Sequence, residues 1–122
     1  MEYKKVQLKV SNDGINEYKS FLGYKIYSTI NKSNNDRTIT YKRIYQTPRK
    51  NFVYYERSDV NWNYWNDKSH YKSNFDPSEI KSNFIFKVVP TLSSLNNYID
   101  ENMIQKLQTK LTAGEVVEEL DI

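Results

Sequence analysis

No cysteine occurs in the 122 residues, so the chain has neither a disulfide framework nor thiolate chemistry, which fits a reducing compartment. The single histidine, His70, cannot assemble a His-rich or Cys-rich zinc site on its own. Three glycines leave little room for phosphate cradles, and there is no Walker-type loop, no G-x-G-x-x-G and no G-x-S-x-G. Asp59, Asp67 and Asp76 match no calcium-loop spacing and read as solvated acids. No apolar run approaches the roughly 18 residues needed to span a bilayer, and MEYKKVQLKV lacks the apolar core of a secretory signal. The expectation is a cytoplasmic protein with no membrane partner, no cofactor and no metal.

What the chain does hold is aromatic. Hydrophobic residues make up only 38%, with a mean hydropathy of −0.84, but the aromatic share is 15% and includes eleven tyrosines. Each buried ring removes on the order of 150–250 Å² from water, which suffices for a single ordered domain covering residues 1–122. Charge is uneven. The first 114 residues hold all 18 basic residues against 11 acidic ones, a net +7, while Glu115, Glu118, Glu119 and Asp121 crowd the last eight positions. That excess can attract a phosphate backbone or an acidic partner, or simply keep a surface solvated.

Two segments rich in aromatic and β-branched residues, ITYKRIY and NFVYYERSDV, flank Gln46-Thr47-Pro48-Arg49-Lys50 and read as a central hairpin. Lys5 to Val10 alternates with Val6, Leu8 and Val10 inward, and Ser11-Asn12-Asp13-Gly14 supplies a turn. A second strand is expected over residues 21–30, with Leu22, Tyr24, Ile26 and Ile30 on one face and Gly23, Lys25, Tyr27 and Thr29 on the other. Residues 31–36 read as a loop, and residues 61–80 as a long connection with one helical turn near Ile80. Residues 83–89 form a further strand. Leu92, Leu95, Tyr98 and Ile99 have the stripe of a short helix. Asp100 can cap a second helix carrying Met103, Ile104, Leu107 and Leu111, which Gly114 stops. The expected fold is α+β: a meander-like antiparallel sheet of about five strands, with two carboxyl-terminal helices packed on one face.

Rings and cations interleave along the hairpin and the connection after it. Tyr41, Arg43, Arg49, Lys50, Tyr54 and Arg57, followed by Trp62, Trp65 and His70, form the candidate binding surface. The mixture suits a protein-binding hot spot and also suits base stacking with phosphate neutralisation. It equally describes an ordinary sheet with half its tyrosines in the core. No nucleophile and carboxylate are placed to serve His70, since Ser69 is its immediate neighbour and points away on an extended chain, so no catalytic residue is assigned.

The terminal Glu118-Glu119-Leu120-Asp121-Ile122 resembles the signature of the EXLDI family, small bacterial proteins named for that ending. Phe21-Leu22-Gly23-Tyr24 is similar to its FxG-aromatic strand. Residues 45–58 are similar to a Y-R-T-x-K-G-x-F-x-x-Y-x-R hairpin, with Pro-Arg-Lys-Asn in place of the usual glycine turn. Residues 92–111 are similar to its L-x-x-L turn and helix. The resemblance implies no activity or catalytic residue. Some relatives carry an amino-terminal arm resembling a ribbon-helix-helix segment; this sequence starts close to its first strand, so DNA binding through such an arm is not expected. Val116, Val117, Leu120 and Ile122 are expected along a sheet edge or under the helices, sealing it.

The leading expectation is a non-enzymatic binding or regulatory module with a protein partner. An inhibitor encoded by a mobile element, a nucleic-acid-binding protein and a hydrolase using loop carboxylates with His70 are the alternatives. The oligomeric state stays open, a homodimer included.

Overall fold

The computed structural model describes residues 2–12, 14–32, 38–60, 83–114 and 117–120. Alternating Val, Ile, Tyr and Phe build β1 (Lys4–Asn12), β2 (Ile15–Lys32), β3 (Thr38–Gln46), β4 (Phe52–Val60) and β5 (Asn83–Val89). These pair antiparallel in chain order, so the expected meander is present. After it come a 3-10 turn (Leu92–Leu95), helix α1 (Glu101–Thr112) and a short strand β6 (Val117–Leu120), which pairs parallel with Tyr27 to Ile30 of β2. The sheet curls enough to bring β1 back near β5. No helix among the described residues is long and apolar enough to cross a membrane.

Turn chemistry sets the register at both hairpins. Asn12 faces Ile15, and Gly14 sits at φ +79, where a residue without a Cβ meets no steric penalty. In the central hairpin Gln46 faces Phe52, Pro48 follows Thr47, and the Lys50 amide donates to the Thr47 carbonyl at 2.9 Å. Pro48 thus occupies the position where its fixed φ favours a turn. Lys50 then adopts φ +65, a left-handed conformation in a residue with a full side chain.

Strand β2 departs from simple alternation. It runs for 18 residues, eight beyond the stretch expected from the sequence, and its pairing with β3 shifts between Lys25 and Tyr27. The extra residue is a bulge, so Ile26 and Tyr27 both enter one core instead of facing opposite ways. Tyr27 and Thr29, expected on the face opposite Ile26, are therefore both buried, while Leu22 is 54% exposed. Asn31 and Lys32, expected in a loop, complete the strand.

Each face of the β3–β4 ribbon carries its own core. On one face Ile26, Tyr27, Ile44, Phe52 and Tyr54 pack against Leu92, Leu95, Ile99, Ile104 and Leu107. On the other, Leu8, Tyr45, Val53 and Tyr55 pack with Val6, Val10, Phe21, Phe84 and Phe86 beneath the β1–β2 arm. The Phe21 ring meets Tyr45 edge-on at 5.5 Å and lies so close to Gly23 that a Cβ there would come within 2.7 Å of it.

The helical layer is smaller than expected. Residues 92–99 bury Leu92, Leu95 and Ile99 at the expected spacing, but they do so through a 3-10 turn and tight turns rather than an α-helix. Ser93, Ser94, Asn96 and Asn97 explain this, because their short polar side chains compete for backbone hydrogen bonds. One α-helix follows. Asp100 stands at its start without a side-chain capping bond, and Gly114 at φ +77 ends it.

Candidate binding cleft

Tyr45, Arg43 and Tyr41 point to the β1–β2 side of the sheet, as do Val53, Tyr55, Arg57 and Asp59 of β4, because each of these pairs with the next across the ladder: Tyr45 with Val53, Arg43 with Tyr55, Tyr41 with Arg57. The inner part of that face, at Tyr45, Val53 and Tyr55, is roofed by the β1–β2 arm. Towards the end of the ribbon away from its turn the roof opens into a cleft of about 450 Å³. Gln7, Leu8 and Lys9 of β1 and Tyr18 of β2 form one wall; Tyr41 and Arg43 of β3 with Tyr55, Arg57 and Asp59 of β4 form the other.

The register lays rings and cations in a checkerboard. Tyr41 is opposite Arg57 and Arg43 opposite Tyr55, so the two guanidiniums are diagonal neighbours with Cα atoms roughly 7–8 Å apart. Arg57 is already engaged. Its Nε lies 2.6 Å from Oδ2 of Asp59, a charge contact rather than an aligned hydrogen bond because that N–H has no partner along its direction. Its guanidinium also covers the Phe84 ring at 5.4 Å. Tyr55 is 4% exposed and donates its hydroxyl to the Lys9 carbonyl at 2.7 Å, tying the arm to the sheet at the cleft floor. Burial pushes the Tyr55 phenol above its ordinary range, and the nearby Arg57 and Arg43 charges pull it back. Arg43 differs from Arg57. It is half-buried, and no hydrogen bond or ion pair holds its guanidinium among the described residues.

Of the expected binding residues, Tyr41, Arg43 and Arg57 are gathered in this cleft. Tyr54 is not a surface residue. It is fully buried on the opposite face, stacked on Tyr98 at 5.0 Å, with its hydroxyl donating to Glu56, because its position in the strand alternates away from Arg43 and Arg57. Arg49 and Lys50 sit at the ribbon's turn, past the end of β3 at Gln46, which is itself three residues, or roughly 10 Å of strand, beyond Arg43. At that end Lys50 Nζ reaches Tyr3 Oη at 3.5 Å. Trp62, Trp65 and His70 lie outside the described residues, as does the turn expected near Ile80.

Lys9 and Tyr18 are additions that sequence reading did not supply. Lys9 falls on the polar side of the first strand, Tyr18 precedes the residues 21–30 expected as the second, and the cleft exists only because the arm folds over β4. Among the described residues no three acidic or His side chains gather as a metal site. No family model, no curated protein and no solved structure matches the chain.

Proposed function

We propose that the protein is a non-enzymatic binding module that engages a protein partner through the Tyr41–Arg43–Arg57 cleft. The observation that supports this is Arg43, a half-buried guanidinium without a partner among the described residues, set between rings in a concave site. Arg and Tyr anchors in partly desolvated recesses are the residues that dominate protein interfaces. A nucleic-acid platform fits the geometry less well. Such platforms present several rings on an open sheet face, whereas here Tyr45, Tyr54 and Tyr55 are all buried beneath the arm or the helical layer. Within the same reading the chain is a relative of the EXLDI family, supported by the Phe21–Gly23 contact and by the pairing of residues 117–120 with β2.

The test is capture from host extract with wild type and Arg43→Glu in parallel, followed by titration of the purified partner. A partner that wild type retains should bind Arg43→Glu at least about tenfold more weakly, a loss of about 1.4 kcal/mol or more, while circular dichroism and melting stay unchanged. Undiminished binding by a folded Arg43→Glu removes the cleft from the interface. Retention on heparin with a steep loss of affinity in salt would replace the protein partner by nucleic acid.

A further inference from the structure

We infer that the recess at the turn end of the ribbon docks an acidic, extended segment of a partner protein, with Lys4 and Lys25 meeting its carboxylates and Lys50 continuing the contact at the rim. This goes beyond the cleft reading, because Arg43 lies toward the other end of the ribbon. Lys4 stands across the ladder from Gly23 and Lys25 across from Tyr45, and strand alternation puts Val6 on the side of Lys4 and Gly23 on the side of Lys25. All five positions therefore face the space beneath the arm, where they line, with Glu2, a recess of about 510 Å³. Lys50 reaches the same end, its Nζ 3.5 Å from Tyr3 Oη, with Arg49 beside it in the turn. Lys4, Lys25, Arg49 and Lys50 are all exposed, and no hydrogen bond or ion pair holds Lys4 among the described residues. Glu17, Glu56 and Asp59 are engaged by Lys19, Lys42 and Arg57, so Glu2 is the acid that the recess sets against these four cations. A partner segment rich in carboxylates complements that excess. The rings favour a peptide over nucleic acid: Tyr45 is 6% exposed and meets Phe21 edge-on, and Tyr24 packs against the helix-side core, so neither stands free to stack a base. The ammonium groups of Lys4, Lys25 and Lys50 are point charges without the fork that grips a phosphate in two places. Val6, partly buried, offers an apolar side chain of the segment a contact between the cations. The chain's own acidic end is engaged elsewhere, since residues 117–120 pair with β2.

The probes are a short synthetic peptide of glutamates around one central leucine, its counterpart with every glutamate replaced by glutamine, and a thymidine oligonucleotide of equal length. Each carries a fluorescent label and is titrated by anisotropy into the full wild-type chain and into the double variant Lys4→Glu with Lys50→Glu. Wild type should bind the glutamate peptide at least about tenfold more tightly than the glutamine peptide, and more tightly than the oligonucleotide. Rising salt should weaken that binding, because the pairs form at an exposed rim. The double variant should lose at least about tenfold in affinity with its circular dichroism and melting unchanged, and Lys4→Gln with Lys50→Gln should fall between it and wild type. Exchanging the central leucine of the peptide for serine should weaken binding severalfold, which an unspecific attraction of opposite charges would not show. Failure to bind the glutamate peptide, equal binding of the glutamine peptide, or affinity undiminished in the folded double variant overturns the inference. Tighter binding of the oligonucleotide also overturns it and assigns this end of the molecule to nucleic acid.

Discussion

Two single residues carry costs that substitutions can measure. Lys50 holds φ +65 in the central turn, where a Cβ costs roughly 1 kcal/mol and glycine would cost nothing sterically. Lys50→Gly should therefore raise stability by about 0.5–1 kcal/mol, seen as a melting increase of a few degrees; an unchanged or lower Tm would mean that the Lys50–Tyr3 contact offsets the backbone strain. Tyr54 reads out through pH. Its burial, and then its hydrogen bond to Glu56, push the phenol above the ordinary 10.0. The folded chain keeps that proton where the unfolded chain gives it up, so the stability it contributes is whole below pH 10 and declines as pH rises further, by up to about 1.4 kcal/mol per pH unit. Tyr54→Phe keeps the ring on Tyr98 and loses the bond to Glu56. It should cost about 1–3 kcal/mol at neutral pH and flatten the decline above pH 10. Denaturation series with parallel alkaline slopes for the two proteins would refute the assignment.

Elements show which parts of the fold local pattern could reveal. The β1 strand was legible by its alternation, β3 and β4 by their density of aromatic and β-branched residues and β5 by its mostly apolar run, and the turns at Gly14 and Pro48 advertise themselves chemically. The bulge at Ile26 was not legible: one extra residue reverses the facing of everything after it, and nothing in Lys25-Ile26-Tyr27 marks the slip. The apolar spacing at Leu92, Leu95 and Ile99 correctly named buried residues but not their backbone, because a 3-10 turn and a helix share much of that spacing. The candidate site divided the same way. Arg43 and Arg57 share a face by strand period, and Tyr54 is excluded by it, whereas Lys9 and Tyr18 join only through the folding over of the arm. Strand β6 offers the test at this scale. Four partnered residue pairs cover the edge of β2 at Tyr27 to Ile30, where Tyr27, Ser28 and Thr29 are buried. At about 1 kcal/mol per backbone hydrogen bond, truncation after Gly114 should cost about 2–4 kcal/mol and promote association through the bared edge. Light scattering and melting check this, and a truncated chain that stays monodisperse with the wild-type Tm would show that β6 seals nothing.

For the whole molecule, the consequence of two cores back to back is that their shared wall is the most protected part. Ile44 and Tyr54 face one cluster while Tyr45, Val53 and Tyr55 face the other, so opening the ribbon there exposes both sides to water together. The flanks lack this double cover. Strand β5 ends the antiparallel path with Lys87 and Val88 exposed, and the far end of the β1–β2 arm carries Ile15 at 66% exposure and Tyr18 at 59%. Local opening costs least where few buried contacts must be broken. Amide hydrogen exchange should accordingly be slowest at residues 44–45 and 53–55, approaching the free energy of global unfolding, and faster by at least about tenfold at residues 15–18 and in β5. The cleft lies between these regimes: Arg43 and Arg57 stand on the protected ribbon, while Lys9 and Tyr18 stand on the arm, which the Lys9 carbonyl ties to Tyr55 and whose far end is exposed. A ligand bridging the two walls should therefore slow exchange in residues 7–9 and 16–18 and leave the ribbon almost unchanged. Protection rising equally everywhere would indicate only general stabilisation of the fold, and protection confined to the turn at Arg49 and Lys50 would place the ligand at the opposite end of the ribbon.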